Sequence, residues 1–218
     1  MQLMMSGLGA LIMVAICGLS AFFIIAEARR ERGASAASKQ PTGVSAIGSQ
    51  LVDSRPLSLD EVFPGTEIRP RSGAAPYRIG MAHIDTDCDV ATTGTLGGLL
   101  DDLGCTQVVR ASLTAPYGGY QVTAGIFNLP DETDAVLIRD QIGRQVEAGD
   151  GNLAAMVAGR PLTQVGWRDR GHFLLYCVIT RPDGQLIRDD DQYAQRITAE
   201  LIGSYLDETV IGRRASSP

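Results

Sequence analysis

Apolar and polar positions change rhythm several times along the chain. Residues 1–26, MQLMMSGLGALIMVAICGLSAFFIIA, carry no charged side chain. The apolar run 3–25 is long enough to cross a hydrocarbon core of about 30 Å as a helix, with each peptide group bonded inside the segment. This predicts a transmembrane anchor in contact with membrane lipid. Residues 27–56 then turn small and polar: EARRER, followed by GASAASKQPTGVSAIGSQLVDSRP. That composition predicts a juxtamembrane basic segment and a flexible linker. A globular domain is expected over 57–214 and a tail over 215–218. Within the domain, LSLDEVFPGTEI (57–68) is a short amphipathic piece suited to docking on the rest.

The pattern from Tyr77 onward predicts alternating strands and helices. YRIGMAHI reads as a first strand. Leu96, Leu99, Leu100 and Leu103 follow helical spacing, which predicts a helix over about 90–103, stopped by Gly104. Gly94, Gly97 and Gly98 weaken that helix, and close approach to a sheet would explain them. CTQVVRASLTA and YQVTAGIFNL read as strands joined at PYGGY, where Gly118 and Gly119 can take positive φ. PDETDAVLIRDQIGRQVEAG predicts a helix with Asp131 as N-cap and Ala135, Ile138, Ile142 and Val146 as its buried stripe. LTQVGWR and HFLLYCVITR flank DRG as a second hairpin, and RPDG is a turn. The last helix places Ile197, Leu201 and Tyr205 on one row and Ile202, Leu206 and Val210 on the next, with the acidic run 189–191 at its N-terminus. The expected fold is an α+β two-layer sandwich. It has a mainly antiparallel sheet with helices on one face, of broadly ferredoxin-like character.

Composition narrows the function classes. The 218 residues are 44% hydrophobic with a formal net charge of −6. A packed core is expected, and nucleic acid is a poor main partner because phosphate binding needs clustered cations. All but Lys39 of the 19 cationic residues are Arg, as codon usage in a GC-rich genome would produce. Arg29, Arg30 and Arg32 follow the apolar segment and no cation precedes it. The positive-inside rule would therefore keep the domain in the cytoplasm, whereas the cysteines and the stem suit an exported domain. A cleaved signal peptide fits less well, for there is no basic n-region and the apolar run is long.

The candidate chemistry is sparse. In AHIDTDCDVATTG (82–94), His83, Asp85, Asp87 and Asp89 fall on alternate positions and would share one face of a strand. His83, Asp85 and Asp87 are candidate oxygen and nitrogen ligands for a weakly bound divalent cation. An EF-hand does not fit, since Val90 and Leu96 stand where Gly and Glu are required. The plainer reading makes Asp87 or Asp89 a cap of the following helix. Cys88, Cys105 and Cys177 are disulfide candidates in an oxidising compartment. A direct Cys88–Cys105 bridge requires the intervening helix to be short or bent, because a straight 13-residue helix would hold them about 20 Å apart. Cys177 is an alternative partner for either, and three unpaired buried thiols are the remaining reading. His172 and Cys177 would lie on opposite faces of a regular strand, which disfavours a nucleophile–base pair. Tyr117, Tyr120 and Trp167 sit beside hairpin turns, where aromatics serve as ligand platforms or, more often, as cross-strand packing. The chain contains no GxSxG, P-loop or strand–GxGxxG–helix pattern.

DCDVATTGTLGGLLDDLGCTQVVRASLTAPYGGYQVTAGIFNLPD and VGWRDRGHFLLYCVITRPDG resemble uncharacterised membrane-anchored or secreted proteins of actinobacteria. The resemblance covers about residues 57–214, including LSLDEVFPGTEI and the closing IGRR. It implies an N-terminal membrane helix with the domain outside, and it assigns no catalytic residue or cofactor. The functional expectation is a non-enzymatic single-pass protein presenting a binding, sensory or structural domain to a protein or envelope ligand. A cation-binding or enzymatic domain using His83, Asp85 and Asp87 is the alternative, and a cytoplasmic membrane-tethered adaptor is a third.

Overall fold

The longest uninterrupted apolar run of the domain, FLLYCVIT, becomes a strand buried at all eight positions. A strand with one solvated face would alternate, so this one must be covered on both sides. The computed structural model describes residues 46–157 and 163–216. It contains β1 (Glu67–Ile68), β2 (Tyr77–Asp85), β4 (Gln107–Thr114), β5 (Gln121–Asn128), β7 (Thr163–Arg170) and β8 (Phe173–Thr180) in one six-stranded sheet of order β1-β2-β4-β5-β8-β7. Every pairing in it is antiparallel. A second, two-stranded sheet pairs β3 (Thr92–Gly94) with β6 (Gly151–Leu153).

Alternate residues of the central strands feed two separate cores. Val109, Ala111, Val122, Ala124, Ile126, Leu175, Cys177 and Ile179 point to one, and Val108, Phe127, Leu174, Tyr176 and Val178 to the other. The first core is closed by α1 (Leu59–Val62) and by the long C-terminal rod. The second is closed by α2 (Leu96–Asp102) and α3 (Glu132–Ala148). The α+β class and the antiparallel sheet match the sequence pattern. Helices on one face do not: the structure has helices on both. The ferredoxin-like character is also absent, since that fold needs a split βαβ unit with parallel neighbours.

Local chemistry sets most element ends. The Asp131 carboxylate accepts the N–H groups of Thr133 and Asp134, and α3 ends at Gly149 with φ 77°. Gly118 and Gly119 take φ values of 53° and 72° in the β4–β5 turn. The rod starts at α4 (Gln192–Thr198), capped by Asp191. It continues as a π-helical stretch, Ala199–Ile211, and closes with a short α-helix, α5 (Gly212–Ser216). Both predicted rows, Ile197/Leu201/Tyr205 and Ile202/Leu206/Val210, are buried along it.

Residues 46–56, read from composition as linker, pack against the fold. Ile47 is buried, and its carbonyl accepts the N–H of His172. Gly48 O accepts Glu132 N–H, Ser49 pairs with Asp131, and Gln50 N–H donates to Pro130 O. Backbone bonds and a single buried apolar side chain, Ile47, hold this strap, too few for a hydropathy pattern to reveal it. The predicted anchor 3–25, Cys17 and the end of the tail lie outside the described residues. Among the described residues no helix is long and apolar enough to cross a membrane.

Candidate functional site

His83 and Asp85 share a face of β2, as alternation requires, but the four polar residues of the opening motif do not converge. His83 stands opposite Arg110 in the register and Asp85 opposite Val108. Arg110 lies across the group: its guanidinium pairs with Asp85 at 3.3 Å and donates to Val90 O at 2.6 Å. Asp87 turns away to accept the N–H of Asp89. Among the described residues no three His, Cys, Asp or Glu side chains are grouped to hold a metal ion. The capping expectation needs a correction. Asp87 accepts the N–H of Asp89 at the start of a single 3-10 turn, Asp89–Ala91, whose N-cap Cys88 makes no side-chain cap; α2 begins only at Leu96, after Thr95, which makes none either.

That shorter helix brings two cysteines together. The chain from Cys88 makes the 3-10 turn, runs through β3, and returns through only seven residues of α2. Cys88 and Cys105 then form a disulfide with Cα atoms 6.3 Å apart. Cys177 is a free, buried thiol. Burial pushes its pKa up to about 12, with a partly offsetting hydrogen bond to Thr198. His172 lies in the β7–β8 turn, outside the strand that carries Cys177. It is fully buried, with Nδ1 2.9 Å from Leu129 O and Nε2 3.4 Å from Asp53.

Two polar clusters that sequence spacing did not reveal are assembled from distant segments. At the β4–β5 turn, buried Glu200 accepts hydrogen bonds from the hydroxyls of Tyr77 (2.8 Å) and Tyr117 (2.9 Å) and from Nε of Arg196 (3.0 Å). Burial opposes its charge, but these three donors outweigh it and hold the carboxyl below the usual range. Burial and the neighbouring carboxylate raise the Tyr77 and Tyr117 hydroxyls in turn. Arg196 lies 4.2 Å from the centre of the Tyr117 ring, a cation–π contact. Tyr193, 52% exposed, stacks on the same ring at 14°. Tyr120 donates to Asp191 at 2.6 Å. Tyr117 and Tyr120 therefore fasten the hairpin tip to the rod, and the aromatic face left to solvent belongs to Tyr193.

The second cluster ties the strap to the rod. Arg214, 1% exposed at its side chain, donates to both oxygens of Asp53 and both of Glu61, and to the carbonyl of Arg55. Burial disfavours its charge, and the two carboxylates more than compensate, raising its pKa. Asp53 thus bridges Arg214 and His172.

No family model, curated protein or solved structure matches this chain. The chemistry must be read from the side chains alone. Carboxylates engaged by arginine or tyrosine, an enclosed thiol and an exposed Tyr–Arg face offer stacking and hydrogen bonding rather than an activated nucleophile.

Proposed function

We propose that this chain is a non-enzymatic, single-pass membrane protein that presents its α+β domain outside the cytoplasm as a binding or structural module of the envelope. The Cys88–Cys105 disulfide carries the reading, because such bonds persist in oxidising compartments and are rare in the cytosol. The charge-free apolar run 3–25 supports the anchor, as does the resemblance to actinobacterial membrane-anchored or secreted proteins. The Tyr193–Arg196 face is the surface best suited to a ligand, since an exposed aromatic beside a cation gives contact area at low entropy cost.

Thiol trapping in cells of the native host tests the compartment. Cells are quenched in acid, denatured and alkylated, then reduced and alkylated with a second reagent. The expected result is that Cys88 and Cys105 take only the second label while Cys177 takes the first. First-label modification of both Cys88 and Cys105 would place the domain in a reducing compartment and overturn the proposal.

A further inference from the structure

Both faces of the central strands β4, β5 and β8 are covered, and the sheet ends in two edge strands. One end is β1, only two residues long. The other is β7, eight residues paired with β8 in unbroken register from Thr163↔Thr180 to Arg170↔Phe173. Edge strands are usually blunted by a proline, a bulge or charges. β7 has no proline and no bulge, and its first five residues, TQVGW, are uncharged.

The turn identifies which groups face outward. Arg170 and Phe173 flank a two-residue turn, with Gly171 at φ 56°. In such a turn the carbonyl of the first residue accepts the N–H of the fourth, so Arg170↔Phe173 is a hydrogen-bonded pair. Alternation then assigns Arg168, Gly166 and Gln164 to β8 as well. The N–H and C=O groups of Thr163, Val165, Trp167 and Asp169 point away from the sheet. Among the described residues no backbone group bonds to them.

We propose that this edge pairs with the β7 edge of a second copy of the chain, joining two sheets across a two-fold axis at Gly166. Antiparallel pairing requires outward residues to meet outward residues. The register centred on Gly166 satisfies this over residues 163–169 and sets Thr163 opposite Asp169, Val165 opposite Trp167, and Gln164 opposite Arg168. No like charges face each other. The apolar pair Val165–Trp167 occurs twice, and glycine occupies the non-hydrogen-bonded position where the chains approach closest. The side chains at the charged end already have ion-pair partners within each copy: Arg168 and Arg170 share Asp207, and Asp169 pairs with Arg139. Beside the edge lies an open groove of about 360 Å3, lined by Trp167, Arg168, Ile202, Gly203 and Glu208 among others, which leaves room for the partner. The pairing rests on the edge geometry and holds on either side of a membrane.

The test compares the full chain with Val165→Pro in detergent, by sedimentation velocity and amide exchange. Proline at 165 removes an outward N–H and leaves the pairing with β8 intact. The wild type should pass from monomer to dimer as concentration rises, with slower exchange at Thr163, Val165, Trp167 and Asp169. The variant should remain monomeric with an unchanged far-UV spectrum. If proline disturbs that spectrum, Val165→Asp supplies the same readout, because it removes the apolar pair with Trp167 and sets two carboxylates diagonally across the axis. A wild type that stays monomeric overturns the proposal. So does a dimer in which those four amides gain no protection, and so do amides already protected in the monomer, which would mean another occupant of the edge.

Discussion

Gly97 and Gly98 are neighbours on one turn of α2 and should answer the same substitution with opposite signs. A Cβ on Gly97 would run into the Asp89 carboxylate and Thr92, whereas one on Gly98 would meet nothing. Gly97→Ala should therefore cost about 1–3 kcal/mol through overpacking. Gly98→Ala should gain about 0.5–1 kcal/mol by stiffening the unfolded chain. Urea midpoints of the two variants check both. The sequence signalled that a glycine here permits a close approach. It could not tell which glycine, or that the neighbour is a carboxylate eight residues back rather than the sheet. Glu200 gives a second residue-scale expectation. Its folded carboxyl is more acidic than in the unfolded chain, so its contribution is complete above the ordinary glutamate range, about pH 4.3. That contribution is lost as pH falls through the lower folded value. The thermal midpoint should drop on acidification by less in Glu200→Gln than in the wild type.

At the scale of elements, apolar patterning located β4, β5, β8, α3 and the C-terminal rod, because each buries at least one face whose spacing follows from its own geometry; β2 and β7 were legible as strands although they bury little. The number of covered faces is where the expectation fails: FLLYCVIT has no charged position and is buried throughout, enclosed on both sides rather than on the one face expected. The extent of α2 was not legible either. Leu96, Leu99 and Leu100 keep helical spacing inside a much longer expected helix, and tertiary pairing of β3 with β6 claims its N-terminal half. That shortening allows the Cys88–Cys105 bond. The loop it closes spans 17 residues, so reduction should lower stability by about 3 kcal/mol on the chain-entropy account. Denaturant unfolding with and without reductant measures it, and Cys88→Ser with Cys105→Ser should reproduce the reduced value.

Across the whole molecule, the strap and the rod are joined by a buried ion cluster that no local pattern encodes. Replacing Arg214 with Met leaves Asp53 and Glu61 with uncompensated charge in a poorly solvated site, at a cost of about 3–5 kcal/mol. Adding Asp53→Asn and Glu61→Gln should recover part of the loss. A chain starting at residue 57 lacks Ile47 and Asp53 and should be less stable than one starting at 46, as a comparison of thermal midpoints would show.

The partners in that cluster stand 161 and 153 residues apart. Closing so long a loop costs entropy that only a nearly finished structure repays. The clasp should therefore form after the folding barrier is crossed. Contacts made late govern how fast a protein comes apart rather than how fast it assembles. Arg214→Met should steepen loss of the native state by raising the unfolding rate while the refolding rate scarcely changes. On that account the strap and rod act as a kinetic lock, setting the lifetime of the folded domain.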